Sequence, residues 1–238
     1  MTKLTVDAWS DIACPWCSIG KRRLEMALER FPHRDQVTVV WHAFELDPSA
    51  PKDRSALPSA VPHAKRLADK YGTSLAQAEA MIARVADTAK ADGLDFRFDI
   101  LREGNTFDAH RLVHLGKALG VQGAVKERLF RAYFSEGERM GDPETLVRLG
   151  GECGLQAERV RAMLASDEFA ADVRADEDAA RQLGITGVPF FVLGARYAVS
   201  GAQPADVMLQ ALERAWADVA GAASSPTEGA TCGPDGAC

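Results

Sequence analysis

Strand-forming sequence in this chain is confined to its two ends, and that confinement is the strongest limit on how it can fold. At the start, Leu4, Val6 and Ala8 alternate with Thr5, Asp7 and Trp9, the period of a strand with one face turned inward. A second run, Val37-Thr38-Val39-Val40-Trp41-His42-Ala43-Phe44, follows a segment with helical spacing from about Pro15 to Arg30. Pro15 suits a first helical turn, where its missing N–H is no loss. Leu24, Leu28 and Phe31 give the apolar stripe, and Pro32 stops the helix. Strand, helix, strand in so short a span predicts a βαβ unit with parallel strands.

Strand character returns only in Phe190-Phe191-Val192-Leu193 and Arg196-Tyr197-Ala198-Val199, which flank Gly194-Ala195. A glycine at the first central position predicts a type II′ hairpin. A last helix is expected from about Pro204 to Val219. Residues 45–62 are proline-rich and read as loop, and from about 62 to 183 the sequence is Ala-, Glu- and Arg-rich with helical period. Ser74 with Gln77 reads as a capping box. Asp142 before Pro143 and Asp167 read as further N-caps, with Gly184 closing the last of these helices. A sheet begun at one end and completed at the other requires the helical block to be inserted into one α/β fold, in the order βαβ, helices, ββα. The division expected is a discontinuous domain of residues 1–50 and 180–220, a helical insertion of residues 51–179, and a flexible tail of residues 221–238.

A formal net charge of -6 argues against nucleic acid or an anionic membrane as partner. The one basic cluster, Lys21-Arg22-Arg23, is short enough to be a solvated helix face. No apolar run approaches the roughly 20 residues of a membrane span, and the first residues have no hydrophobic leader core. A cytoplasmic location is the expectation. Five cysteines in a reducing compartment point to catalysis, redox sensing or metal binding rather than a structural disulfide framework.

Cys14 and Cys17, in Cys14-Pro15-Trp16-Cys17, sit at the junction of the first strand and first helix. A helix N-terminus offers unpaired N–H groups and the positive end of the dipole. In Cys-x-x-Cys motifs the favoured thiolate titrates at about 3.5–7.5, against about 8.5 for a free cysteine. Position makes Cys14 the nucleophile and Cys17, one turn further in, the shielded residue that resolves a mixed disulfide. Half of a zinc site, or a pair of inert buried cysteines, is the competing reading.

Three stretches resemble the FrnE subfamily of the DsbA-like branch of the thioredoxin superfamily. They are Ser10-Asp11-Ile12-Ala13-Cys14-Pro15-Trp16-Cys17, Phe44-Glu45-Leu46-Asp47-Pro48 and Asn105-Thr106-Phe107-Asp108-Ala109-His110-Arg111-Leu112. Gly187-Val188-Pro189-Phe190-Phe191-Val192 before the hairpin belongs to the same resemblance. It implies a thioredoxin-like fold with a helical domain inserted after the second strand, and thiol–disulfide oxidoreductase or isomerase activity. It implies a cis Pro189 beside the dithiol, and pairing of the Val188 backbone with a substrate peptide as an added strand. Pro15 and Trp16 would border the substrate. Partners would be protein or peptide thiols and disulfides, with a small thiol such as glutathione as reductant. No cofactor beyond the redox disulfide and no resident metal are expected. The subfamily is similar to kappa-class glutathione transferases and 2-hydroxychromene-2-carboxylate isomerases, which usually carry serine where this chain has Cys14. Two cysteines favour exchange over glutathione conjugation, although a glutathione-dependent isomerase or transferase remains the alternative. Asn105 is expected to cap a helix and His110 to be a core residue, or both to be the remnant of a small-molecule pocket.

Cys232 and Cys238 flank Gly-Pro-Asp-Gly, a turn sequence able to bring two sulfurs together. The link from Val219 spans about 20 Å on average as a flexible chain and about 45 Å stretched, far enough to visit Cys14. The pair is therefore expected to relay electrons to or from Cys14 and Cys17, against the alternatives of incidental thiols or a four-thiolate zinc site. Cys153, alone in the helical block, reads as a small buried hydrophobe. Asp7 and Asp11 precede Cys14 and read as polar face; of the two, Asp7 is the better candidate for general base to the resolving cysteine. His42 is expected to be structural.

Overall fold

A computed structural model describes residues 3–51 and 63–224. Strand β1 (Leu4–Ser10) runs into helix α1 (Pro15–Arg30), a 3₁₀ turn at Arg34–Gln36 and strand β2 (Val37–Ala43). Seven helices then precede the rest of the sheet: α2 (His63–Tyr71), α3 (Leu75–Ala91), α4 (Phe107–Ala118), α5 (Gln122–Phe134), α6 (Pro143–Glu152), α7 (Ala157–Leu164) and α8 (Ala170–Gln182). Strands β3 (Phe190–Leu193) and β4 (Tyr197–Ser200) and helix α9 (Ala205–Ser224) close the fold. Among the described residues no helix is long and apolar enough to cross a membrane.

The sheet order is β2-β1-β3-β4. β1 is central, parallel to β2 from Leu4↔Val37 to Ser10↔Ala43 and antiparallel to β3 from Val6↔Leu193 to Trp9↔Phe190. The expected thioredoxin-like βαβ–ββα fold with a helical insertion after the second strand is the one observed. Alternation decides the faces. Leu4, Val6 and Ala8 are fully buried in a core shared with α1, α9, α4 and α5. Trp9 packs on the opposite face with Ala180 and Ile185, beneath α8. β2 is an edge strand, and α5 covers that edge. The Gln122 amide accepts from Trp41 N at 3.1 Å and donates to Trp41 O at 2.8 Å, doing for the backbone what a further strand would do.

The caps read from sequence hold at two helices. Ser74 and Gln77 form the full capping box of α3, and Asp142 accepts from Thr145 N at 2.7 Å at the head of α6. Three local expectations are corrected. Gly194 and Ala195 both have positive φ (58° and 57°), the signature of a type I′ turn rather than II′. Asp167 does not cap α8; its carbonyl accepts from Ala170 N, and the turn puts Phe169 at φ 61° as the N-cap, where its ring stacks on His114. Helix α9 continues past Val219 to Ser224, because Ala220 to Ser224 holds only Ala, Gly and Ser, none of which blocks propagation.

Asp176 of α8 ties the helical layer to the sheet. Its carboxylate accepts from Ala43 N at 2.8 Å and meets His42 Nδ1 at 2.6 Å and His114 Nε2 at 2.9 Å. The other nitrogen of His42 meets Asp7 Oδ1 at 2.9 Å, and the imidazole stacks on Trp9. Burial alone would raise the Asp176 carboxyl, yet the hydrogen bonds from His114 and His42 hold it well below the carboxylate range. Burial opposes a charged His42, and hydrogen bonds with Asp176 and Asp7 overcome it, raising its pKa. His42 is thus structural, as expected.

The sign of the pH dependence follows. A raised His42 stabilises the fold fully below its unfolded pKa of about 6.5 and loses that contribution as pH climbs through the higher folded value. The depressed Asp176 contributes above about pH 3.9 and is lost as pH falls through its folded value. In urea melts, His42→Gln is therefore expected to be most destabilised relative to the parent at about pH 5–6, with the gap narrowing above about pH 8. Asp176→Ala, which strands two histidines and an N–H, is expected to cost about 3 kcal/mol at pH 6.

Candidate active site

The register of the sheet builds the site. Because Trp9 pairs with Phe190, the residue before β3, Pro189, lies beside the C-terminal end of β1, where the chain turns into α1. Pro189 has no N–H to continue the ladder, so the sheet opens there. Cys14 is the N-cap of α1 with extended backbone (φ -93°, ψ 112°) and Pro15 at the first helical position. Its Sγ lies 3.6 Å from the carbonyl oxygen of Val188, whose bond to Pro189 is cis. Cys17 is one turn deeper, its N–H donating to Cys14 O at 3.0 Å. Cys14 keeps 5% exposure, Cys17 none, and Trp16 between them 41%. Cys14, Cys17 and Cys153 are free thiols. Burial pushes the Cys17 thiol well up, and its neighbour Cys14 pushes it further, while Lys126 works the other way.

The turn between β1 and α1 is fixed by Asp11, a buried carboxylate. It accepts from Leu46 N at 2.7 Å, from Ala13 N at 3.3 Å, and meets His110 Nε2 at 3.3 Å. Burial alone would raise this carboxyl; bonds to His110, Leu46 and Thr106 bring it below its ordinary value instead. The segment Phe44–Pro48 is thereby pinned beside the dithiol, with Glu45 paired to Arg174 at 2.6 Å. Most of the segment Asn105–Leu112 serves as support, while Thr106 lines the chamber beside Cys14. Asn105 Oδ1 accepts from Phe107 N at 2.9 Å at the start of α4, His110 is fully buried, and Arg111 donates to backbone carbonyls of Met163, Ser166 and Glu168. A chamber of about 310 Å³ opens beside Cys14, Pro15 and Trp16. Leu67, Met81 and Phe98 from the inserted block are among its apolar walls, and Lys70 lines it too.

Cys14, Cys17, Pro15, Trp16, Val188 and Pro189 are thus brought together as the sequence suggests. Cys232 and Cys238 lie outside the described residues. Asp7 points to His42 on the α8 face of the sheet. Lys126 of α5, whose charge favours the Cys17 thiolate from within the core, is a buried residue that sequence reasoning missed. One signal was legible: Gln122, Lys126, Leu129, Phe130 and Tyr133 fall at helical spacing on one buried stripe, and a lysine there breaks the apolar pattern. Cys153, read as buried, is only partly so.

Residues 5–213 match the DsbA-like thioredoxin domain. The chain belongs to the DsbA-like thioredoxin family. The structure of a probable DsbA oxidoreductase from Streptomyces coelicolor is 46% identical, with 98% of this chain and 97% of that one covered at a TM-score of 0.83. An uncharacterized protein of Bacillus subtilis, YwbO, is 27% identical over 87% of this chain and 94% of its own length. The fold is shared with a 2-hydroxychromene-2-carboxylate isomerase at 18% identity and a TM-score of 0.68, covering 93% of this chain and all of the other (100%).

In this DsbA-like site, Gly20 of α1 is what lets Pro189 approach. A Cβ at Gly20 would stand 2.8 Å from Pro189 Cγ and 3.3 Å from the Phe191 ring, whereas one at Gly151 meets nothing within 4 Å. Gly20→Val is expected to cost about 1–3 kcal/mol by overpacking and to lower oxidoreductase activity about tenfold or more by shifting Pro189. Gly151→Ala should be neutral to slightly stabilising. Urea melts and insulin reduction check both.

Proposed function

We propose that this DsbA-like chain is a thiol–disulfide oxidoreductase of FrnE type, able to reduce and isomerise disulfides of proteins and peptides in the cytoplasm. The single observation that carries the proposal is the Cys14 sulfur at 3.6 Å from Val188 O, beside Pro189, with Cys17 sealed behind it. One sulfur meets the substrate and the other can react only inward. Cys14 as thiolate attacks a substrate disulfide, one substrate thiolate leaves, and a mixed disulfide remains on Cys14. Cys17 attacks Cys14, the Cys14–Cys17 bond forms, and the second substrate thiolate departs. The Val188 backbone and the exposed Trp16 ring are the substrate contacts proposed. A small thiol such as glutathione returns the dithiol to its reduced form, and the chamber of about 310 Å³ beside Cys14 has room for such a molecule.

The fold shared with the isomerase supports a second reading, a glutathione-dependent isomerisation in the same chamber. Insulin reduction separates the two. Cys14→Ser is expected to lose activity by about a thousandfold or more, and Cys17→Ser to accumulate a mixed disulfide on Cys14 visible by mass. Activity surviving Cys14→Ser would favour glutathione chemistry.

Cys232 and Cys238 are proposed as a second redox pair that exchanges with the first. Joint Cys232→Ser and Cys238→Ser substitution is expected to slow turnover with at least one thiol donor while sparing the first attack by Cys14. Unchanged turnover with every donor would rule the relay out. Elemental analysis under reducing conditions tests whether the four thiols hold zinc instead.

A further inference from the structure

The basic cluster Lys21-Arg22-Arg23 is not the solvated helix face that its shortness suggests. Lys21 is buried, and its Nζ meets Glu25 of the same helix and Glu127 of α5, both at 2.5 Å. Arg22 Nε donates to Asp92 O, at the end of α3, at 3.2 Å. Arg23 forks between two partners. Its Nε donates to the Asp92 carboxylate at 2.6 Å, and a terminal nitrogen donates to Ala202 O, also at 2.6 Å. Neither side chain of the Arg23–Asp92 pair is more than 18% exposed. A guanidinium held on two acceptors from distant parts of the chain fixes a geometry as well as balancing a charge.

What Arg23 holds lies close to the dithiol. Ala202 belongs to the short loop between β4 and α9. In that loop Gly201, at φ 78°, donates its N–H to Pro189 O at 2.8 Å. Gln203 ties the loop to itself, with its N–H on Gly201 O at 2.9 Å and its side chain on Ser200 O at 2.9 Å. Ser200 pairs with Phe190, the residue after Pro189. The loop is therefore a clasp on the Pro189 carbonyl, and Arg23 fastens the clasp to α1. A closed frame results. Helix α1 carries Cys14 at its head and Arg23 nine residues on. The β3–β4 hairpin carries Val188 and Ala202 at its two open ends. Cys14 Sγ meets Val188 O at 3.6 Å, and Arg23 meets Ala202 O at 2.6 Å. The first of these contacts must give way when a substrate sulfur reaches Cys14, whereas the second can stay.

We infer that Arg23 is a positioning residue for peptide substrates. By holding Ala202 to α1, it fixes the Val188 backbone at the distance from Cys14 at which a peptide can pair with one while its disulfide meets the other. The inference rests on the exchange reading above and adds what sets the register of the substrate. A disulfide on a peptide backbone uses both points and depends on the frame. A small disulfide without such a backbone uses Cys14 alone. Arg23 thus governs which disulfides are handled well, and leaves the reactivity of the sulfur to the head of α1.

The test mixes reduced protein with either a disulfide-bonded peptide or hydroxyethyl disulfide. Samples are quenched with acid at intervals, and the Cys14–Cys17 disulfide is counted by mass, which gives a second-order rate constant for each. Arg23→Gln is expected to lower the peptide constant about tenfold and to keep that for hydroxyethyl disulfide within about threefold. Arg23→Lys keeps the stem and the charge but cannot fork between Asp92 and Ala202, so the same loss of preference is expected. It carries the test if Arg23→Gln does not fold. Arg30→Gln breaks another ion pair between α1 and α9, Arg30 with Asp206, that does not touch the loop. It should leave the ratio of the two constants unchanged. An unchanged ratio in Arg23→Lys, or an equal fall of both constants in either Arg23 variant, would overturn the inference and leave Arg23 a brace of the fold. No reaction of the unaltered protein with either disulfide would overturn the exchange reading itself.

Discussion

The antiparallel pairing of β1 with β3 is the contact on which everything else in this molecule rests. It joins residues from the two ends of the chain, and its register, Trp9 opposite Phe190, sets Pro189 against the turn that begins α1. A slip of one residue would turn Phe191 and Leu193 out of the core shared with Leu4 and Val6. It would also carry Val188 away from Cys14. The buried faces therefore hold the register, and the register holds the site. Gly20 completes the arrangement by leaving the proline ring room on the helix side.

The two faces of that sheet have different electrostatic duties. On the α8 face, Asp7, His42, Asp176 and His114 form a satisfied chain that clamps the inserted helices to β2 and β1. On the α1 face, Asp11 fixes the turn, and Lys126 is left with a single long acceptor. The inserted block thus does more than roof the active site, since it supplies apolar chamber walls from α2 and α3 and the anchor Asp176 from α8.

Local rules carried much of the fold. The alternation of Leu4, Val6 and Ala8, the Pro15 start of α1, and the caps at Ser74 and Asp142 each depend on near neighbours, and each is found where sequence places it. The cysteine pair was legible for the same reason, as a motif at a strand-to-helix junction. What escaped depends on distant partners. Nothing near Lys126 in sequence says that β1, β2 and α1 will close over it, because lysine usually lies at the surface. Asp7 looked like a base because it precedes the cysteines, but period two puts it on the other face from α1. The start of α8 was misplaced because the turn at Phe169 is held by Arg111, which binds the carbonyls of Met163, Ser166 and Glu168 from another helix. Helix α9 ran longer because small residues permit either state and context decides.

The proposed chemistry requires Cys14 and Cys17 to form one reversible redox couple. A redox titration against mixtures of reduced and oxidised glutathione, trapped with a thiol reagent and read by peptide mass, addresses that directly. Both cysteines are expected to lose reactivity together, at one midpoint, as a single internal disulfide, and to regain it on return to reducing mixtures. Independent midpoints, stable glutathione adducts on Cys14 with Cys17 still free, or no oxidation of either residue would contradict it.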